Sequence, residues 1–247
     1  MNAEAVGLIT FALLLAAILA GTRVSENRLS AATKETVKLA ASLVATLAAL
    51  VLGLLVSSAK ASYDSVRSEV IEMSAKVVFL DRMLAGYGPE SAEARARLRE
   101  AAEENVSRMS PTESKRPINL APPKEAGNAV YMAIQKLVPK DDTQRSFKTE
   151  ASNLALDLGK VRTLLVAQSI PSISELMLAV LVSWLVIIFF SFSMLAPTNA
   201  PAITALVISA LSVCGAIALI LELDRPFGGL IGLSSEPMHT ALSQLAR

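Results

Sequence analysis

The sequence predicts an all-α integral membrane protein: four transmembrane helices arranged as two hairpins flanking a helical domain outside the bilayer. Three observations predict it. The chain of 247 residues is 53% hydrophobic, and its mean hydropathy is +0.50. Its Lys, Arg, Asp and Glu lie almost wholly outside four apolar stretches. Each stretch has roughly the 20 residues that a helix needs to cross ~30 Å of hydrocarbon.

The first span is expected from Ala5 to about Gly21 and the second from about Val37 to Val56. The third is expected from about Leu176 to Ala196, and the fourth from about Ala202 to Leu221. Hydrocarbon offers no partner for backbone N–H and C=O groups, so each run must satisfy its own, as a helix does. The chain begins Met1-Asn2-Ala3-Glu4, without the basic residues that open a signal peptide, so the first span is read as a retained anchor. A short polar link carries Arg23, Arg28 and Lys34 between the first two spans. The uncharged Pro197-Thr198-Asn199-Ala200-Pro201 is a tight turn between the last two.

The expected parts are a first hairpin over 1–58, a helical extramembrane domain over 59–175, a second hairpin over 176–225 and a tail over 226–247. Val66, Val70, Met73, Val77, Leu80 and Leu84 recur at intervals of three and four, so the second span should continue out of the membrane as one rod. Gly86-Tyr87-Gly88-Pro89 ends it, and Pro89 with Glu90 and Glu93 opens another helix. The stretch from Ser110 to Gly127 holds Pro111, Pro117, Pro122 and Pro123 and reads as a loop, with helix resuming near Asn128. Asp141 or Asp142 is an N-cap for a last long helix carrying Phe147, Leu154, Leu158, Val161 and Leu165. Lys60, Arg67, Lys76, Lys160, Arg162 and Arg225 on the domain's side, against Arg23, Arg28, Lys34 and Lys38 on the other, favour a cytoplasmic domain and a cell inner membrane.

Composition also excludes. A formal net charge of +1 gives no basic field for nucleic acid. Cys214 and His239 are each the only residue of their type, so neither a disulfide nor a His/Cys metal site is expected, and no cofactor is. No nucleophile elbow, phosphate loop, HExxH or CxxC occurs, so no enzyme is expected. Glu100, Glu103 and Glu104 read as a solvated helix face. Tyr63 and Asp64 mark an interface, and Trp184 packs in its span.

Two faces of the second span are candidates for function. Lys38, Ser42, Thr46, Ala49, Gly53, Ser57 and Lys60 share one wedge, and Leu39, Leu43, Leu47, Leu50 and Leu54 share the adjoining face. The wedge is either a close helix–helix contact, since small residues let membrane helices approach, or the lining of an aqueous path. Because leucine is the less costly residue to leave against lipid, Ser42, Thr46, Ala49, Gly53 and Ser57 are the expected pore lining and Leu43, Leu47, Leu50 and Leu54 the alternative constriction. A third candidate follows the fourth span: Glu222, Asp224, Arg225, Pro226, Phe227 and Gly228, a polar stop at the headgroups or the mouth of a path.

Four stretches carry a resemblance. They are Lys38-Leu39 through Lys60-Ala61-Ser62-Tyr63-Asp64, Phe79 to Pro89, Ala155 to Gly159, and Leu221 to Gly228. Through them the chain resembles the bacterial membrane family with a bestrophin-like domain and, more distantly, the bestrophin channels. That resemblance implies a pentameric homo-oligomer in the lipid bilayer that passes inorganic ions, with the second span lining the pore. In bestrophins an acidic-Pro-Phe-Gly motif follows the last span, and Glu222, Asp224, Pro226, Phe227 and Gly228 match it. The resemblance also implies a constriction of bulky apolar side chains, which would be Leu43, Leu47, Leu50 or Leu54. The acidic run that helps bestrophins hold calcium is missing, since after Asp224 the next acid is Glu236. The competing class is a non-conducting scaffold or sensor whose helical domain binds a partner.

Overall fold

The structure, a computed structural model, describes residues 3–23, 30–109, 124–168, 173–224, 233–234 and 236–245. Every regular element among them is helical: α1 (Ala3–Thr22), α2 (Ala31–Tyr87), a 3-10 turn (Pro89–Ser91), α3 (Ala92–Met109), α4 (Lys124–Gln135), α5 (Asp142–Gln168), α6 (Glu175–Leu195), α7 (Ala200–Leu223) and α8 (Glu236–Leu245). Four of them, α1, α2, α6 and α7, are long and apolar enough to cross a membrane. The chain divides into two compact units: Met1–Ser62 with Pro171–Asp224, and Tyr63–Ile170 with Arg225–Arg247.

In the first unit α1 packs chiefly on α6 and α7. Leu14 and Ile18 of α1 meet Leu181, Leu185 and Ile188 of α6 and Ala210, Cys214 and Ile217 of α7 in one buried cluster. The helices approach closely because small residues stand where they cross. A Cβ on Gly21 would lie 2.8 Å from both the Phe190 carbonyl oxygen and the Ser193 Cβ. There the buried Ser193 hydroxyl donates to the Ile18 carbonyl at 2.6 Å, so its polar group finds a partner inside the bundle. Asn199 caps α7, its side-chain oxygen accepting from the Ala202 N–H at 3.1 Å.

In the second unit the expected row along α2 forms: Val66, Val70, Met73, Val77, Leu80 and Leu84 are all buried. Leu80 and Leu84 pack with Ala94 and Leu98 of α3, Val130 and Ile134 of α4, and Ala151 of α5. Val66, Val70 and Met73 pack with Val106, Val161, Leu165 and Met238.

The stretch from Phe79 to Pro89 is a structural joint. Asp81 grips Arg95, and Tyr87 is buried. Gly86 lies so close to the Phe147 ring that a Cβ would stand 2.9 Å from its Cζ. Gly88 has φ +121°, a conformation that side chains with a Cβ rarely adopt, and this lets the chain turn out of α2. Pro89 then occupies the first position of the turn, where its missing N–H costs nothing. The Ser91 hydroxyl, at 2.6 Å from the Leu84 carbonyl and 2.7 Å from that of Gly88, lies within hydrogen-bond reach of orphan acceptors at the end of α2.

Helix α5 starts where an aspartate N-cap was expected, with Asp141 Oδ1 accepting from the Gln144 N–H at 2.7 Å. Helix α4 starts earlier than expected, at Lys124 rather than near Asn128. Lys124-Glu125-Ala126 favour helix. The proline-rich stretch through Pro123 lies outside the described residues. The tail holds a helix that was not expected: α8 buries Met238, Ala241 and Leu245 in the second unit.

Candidate functional site

The membrane-spanning part of α2 shows three faces. Ala41, Ala48, Leu55 and Ala59 are buried, the last three in the first unit's core, and they form a seam of mostly small side chains. The other two faces are the two candidates, and the subunit's own helices cover neither. Leu39, Leu43, Leu50 and Leu54 are each more than 60% exposed and Leu47 is 44% exposed. Ser42, Thr46, Ala49, Gly53 and Ser57 are also exposed, and a Cβ on Gly53 would meet no atom within 4 Å. At ~100° per residue, the leucine row and the hydroxyl row lie side by side, each about 40° from the point opposite the buried seam.

The two rows differ in what they demand of their surroundings. The Ser42 hydroxyl donates to the Lys38 carbonyl at 2.8 Å, and the Thr46 hydroxyl to the Ser42 carbonyl at 3.0 Å. These bonds back into the preceding turn satisfy the hydroxyl donors within the helix itself. Water is therefore not required on that face, and a neighbouring helix can lie against it. Small side chains at 42, 46, 49, 53 and 57 leave room for such a neighbour.

At the far end of α7 the structure describes two residues of the third candidate. Asp224 is buried and Glu222 half-buried. The Asp224 N–H donates to the Ile220 carbonyl at 3.0 Å, closing the helix. Its carboxylate Oδ2 accepts from the Ile173 N–H at 3.4 Å, just before α6 begins. A carboxylate at a helix start is stabilised by the N–H groups and the positive dipole end there. Asp224 thus ties the end of α7 to the start of α6. Arg225, Pro226, Phe227 and Gly228 lie outside the described residues.

The second unit offers a different kind of space. A mostly apolar cavity of about 660 Å³ lies among α2, α3, α4 and α5, lined by Met73, Leu98, Asn105, Tyr131, Gly159 and Arg162 among others. Beside it Asp157 pairs with Lys160 at 2.8 Å and approaches Lys76 at 4.0 Å. The hydrogen bond from Lys160, and then its charge, hold the Asp157 carboxyl below the usual range. Among the described residues no three His, Cys, Asp or Glu side chains converge as a metal site would require.

These features define an all-helical membrane protein with four candidate spans and a separate helical unit. Residues 8–238 match the model of the family described as Bestrophin-like domain. The chain belongs to that bestrophin-like family. In structure it is similar to a bacterial bestrophin homologue from Klebsiella pneumoniae, crystallised as a point mutant. The TM-score is 0.65 over 98% of this chain and 96% of that one, at 15% identity, and the likeness is one of fold. No curated protein matches the chain.

Proposed function

We propose that the chain is one subunit of an ion channel, assembled as a ring, a pentamer by family resemblance, with α2 of every copy around the axis. In this reading the leucine row of Leu43, Leu47, Leu50 and Leu54 faces the axis and narrows the path. The row of Ser42, Thr46, Ala49, Gly53 and Ser57 lies against the neighbouring copy. The membrane is the cell inner membrane, and the second unit lies in the cytoplasm.

The observation that carries this reading is that the subunit's own bundle leaves both rows of α2 uncovered, while the hydroxyls on one row already bond to their own helix. A small-residue row with satisfied hydroxyls suits helix–helix contact. A row of leucines around an axis makes an apolar constriction, which can gate by dewetting. Family membership supports the class of activity.

Cysteine substitution tests it, in protein whose Cys214 is first replaced by Ala. In conducting bilayers a water-soluble thiol reagent should block current through Leu47→Cys or Leu50→Cys and leave Thr46→Cys and Gly53→Cys open. The reverse pattern would put the hydroxyl row on water. Block at neither set, in protein that conducts, would remove α2 from the pore. Absence of conduction under any condition would point to a scaffold.

A further inference from the structure

In the second unit, α2 and α5 meet at a polar contact between two half-buried residues. Gln168 Nε2 donates to Glu69 Oε1 at 2.7 Å. The remaining oxygen of each group, Glu69 Oε2 and Gln168 Oε1, is buried and has no hydrogen-bond partner. Both are acceptors while Glu69 is ionised, so neither can satisfy the other. Val66, Val70 and Met73 of α2, Val106 of α3, Val161 and Leu165 of α5 and Met238 of α8 form the apolar cluster at this level.

A protonated carboxyl and a primary amide have complementary edges. The amide N–H meets the acid C=O, and the acid O–H meets the amide C=O. Here the first bond is in place, and the second lacks only a hydrogen. We propose that Glu69 and Gln168 form a proton-binding site. Glu69 Oε2 takes a proton from solvent and donates it in a hydrogen bond to Gln168 Oε1, closing a cyclic acid–amide pair. One proton satisfies both orphaned atoms and removes a charge from an apolar seam. A metal cation fits less well, because no third carboxylate, His or Cys converges with this pair among the described residues. The site lies apart from α2's membrane-spanning rows and does not depend on which of them faces an axis.

Other titratable and charged groups stand on the elements around it. They are Asp64, Arg67 and Glu72 on α2, Glu103 and Glu104 on α3, Lys160 and Arg162 on α5, and Glu236 and His239 on α8. None of them bonds to either orphaned oxygen. Glu72 pairs with Lys76, Glu103 with Arg99 and Lys160 with Asp157. His239 is exposed on α8, and the measurement is a difference that cancels groups outside the pair.

The experiment compares wild type with Glu69→Gln, the amide that mimics the protonated acid, by thermal melting of the full chain in mild detergent between about pH 5 and pH 8. Proton binding favours the folded state at low pH and is lost as pH rises. Glu69→Gln should therefore melt several degrees above wild type at the alkaline end, with the gap closing as pH falls. Infrared difference spectra should show a protonated-carboxyl C=O band on acidification that is absent from Glu69→Gln. Gln168→Leu should flatten the same pH response from the other side of the contact. A wild type and a Glu69→Gln with parallel pH profiles and no such band would overturn the proposal in favour of a bridging water. So would a Glu69→Gln that fails to fold. A wild-type melt raised by Na⁺, K⁺ or Ca²⁺ but not by acid would make the site a cation site instead.

Discussion

Asp81 near the end of α2 holds Arg95 on α3 through two parallel hydrogen bonds, Nε to Oδ1 at 2.7 Å and Nη2 to Oδ2 at 2.9 Å. The fork geometry suits guanidinium and carboxylate alone, and Asp81 is nearly buried while Arg95 is about one-third exposed. Hydrogen bonding to Asp81 raises the Arg95 pKa further. Asp81→Asn keeps the shape and removes the charge. It should destabilise the extramembrane unit by roughly 1–2 kcal/mol, after allowing for solvent screening on the Arg95 side. Arg95→Lys, which cannot form the fork, should cost a similar amount by thermal melting. Equal stability of Arg95→Lys and wild type would show that the second bond contributes nothing.

Gly21 should tolerate no larger residue. A Cβ there meets the Phe190 carbonyl oxygen and the Ser193 side chain at 2.8 Å, both on the backbone or close to it. Gly21→Ala should cost about 1–3 kcal/mol by overpacking. Ser193→Ala should restore little of it, because the carbonyl clash remains. Melting of the two single variants and the double variant in detergent checks the ranking.

On α2, hydroxyl and volume can be separated. The Ser42 and Thr46 hydroxyls bond back to their own helix, so Ser42→Ala and Thr46→Val should shift stability by no more than about 0.5 kcal/mol. Ala49→Leu adds volume on the same row and should lower the oligomer fraction about tenfold, as expected for ~1.4 kcal/mol of overpacking. Mass measurement in mild detergent reads both. An oligomer unaffected by Ala49→Leu would mean that this row meets lipid.

Tyr87 carries a prediction in pH. Burial pushes its phenol pKa up, and the nearby Glu90 charge adds to that while Lys140 opposes it. A group that holds its proton more tightly when folded contributes stability below its unfolded pKa near 10 and loses it as pH rises through the folded value. Tyrosinate absorbance should thus show one late step that coincides with unfolding, and Tyr87→Phe should abolish it. The Tyr87 hydroxyl is buried without a partner, so Tyr87→Phe should be neutral or slightly stabilising at pH 7.

Orientation is open to direct assay. With the second unit in the cytoplasm, reporter fusions at Glu113 should report inside and those at Asn199 outside. An outside signal at Glu113 would invert the assignment, and the same side for both would change the number of spans.

The spans were legible because apolar length alone fixes them: α6 and α7 begin and end within two residues of the expected limits. The row from Val66 to Leu84 was legible because a strict helical period survives only where one face stays buried. Helix α8 was not read from the tail. Its ten residues are short, and Met238, Ala241 and Leu245 show their spacing only once a core exists to receive them. The α2 faces were legible as patterns, but the seam of Ala41, Ala48, Leu55 and Ala59 was not, since alanine fits lipid, helix and water alike. The bond from Ile173 to Asp224 joins positions about 50 residues apart, and no local pattern records it.

The packing of α1 sets an order of events during synthesis. Its Ile18 carbonyl accepts from Ser193, and its apolar face rests on α6 and α7. The ribosome adds about 170 more residues before α6 and its Ser193 exist. At ~5–20 residues per second, that is a wait of roughly 9–35 s. Through that interval α1 must be sheltered by lipid or by the insertion machinery. A newborn chain stalled before α6 should therefore be the form most exposed to quality-control proteases.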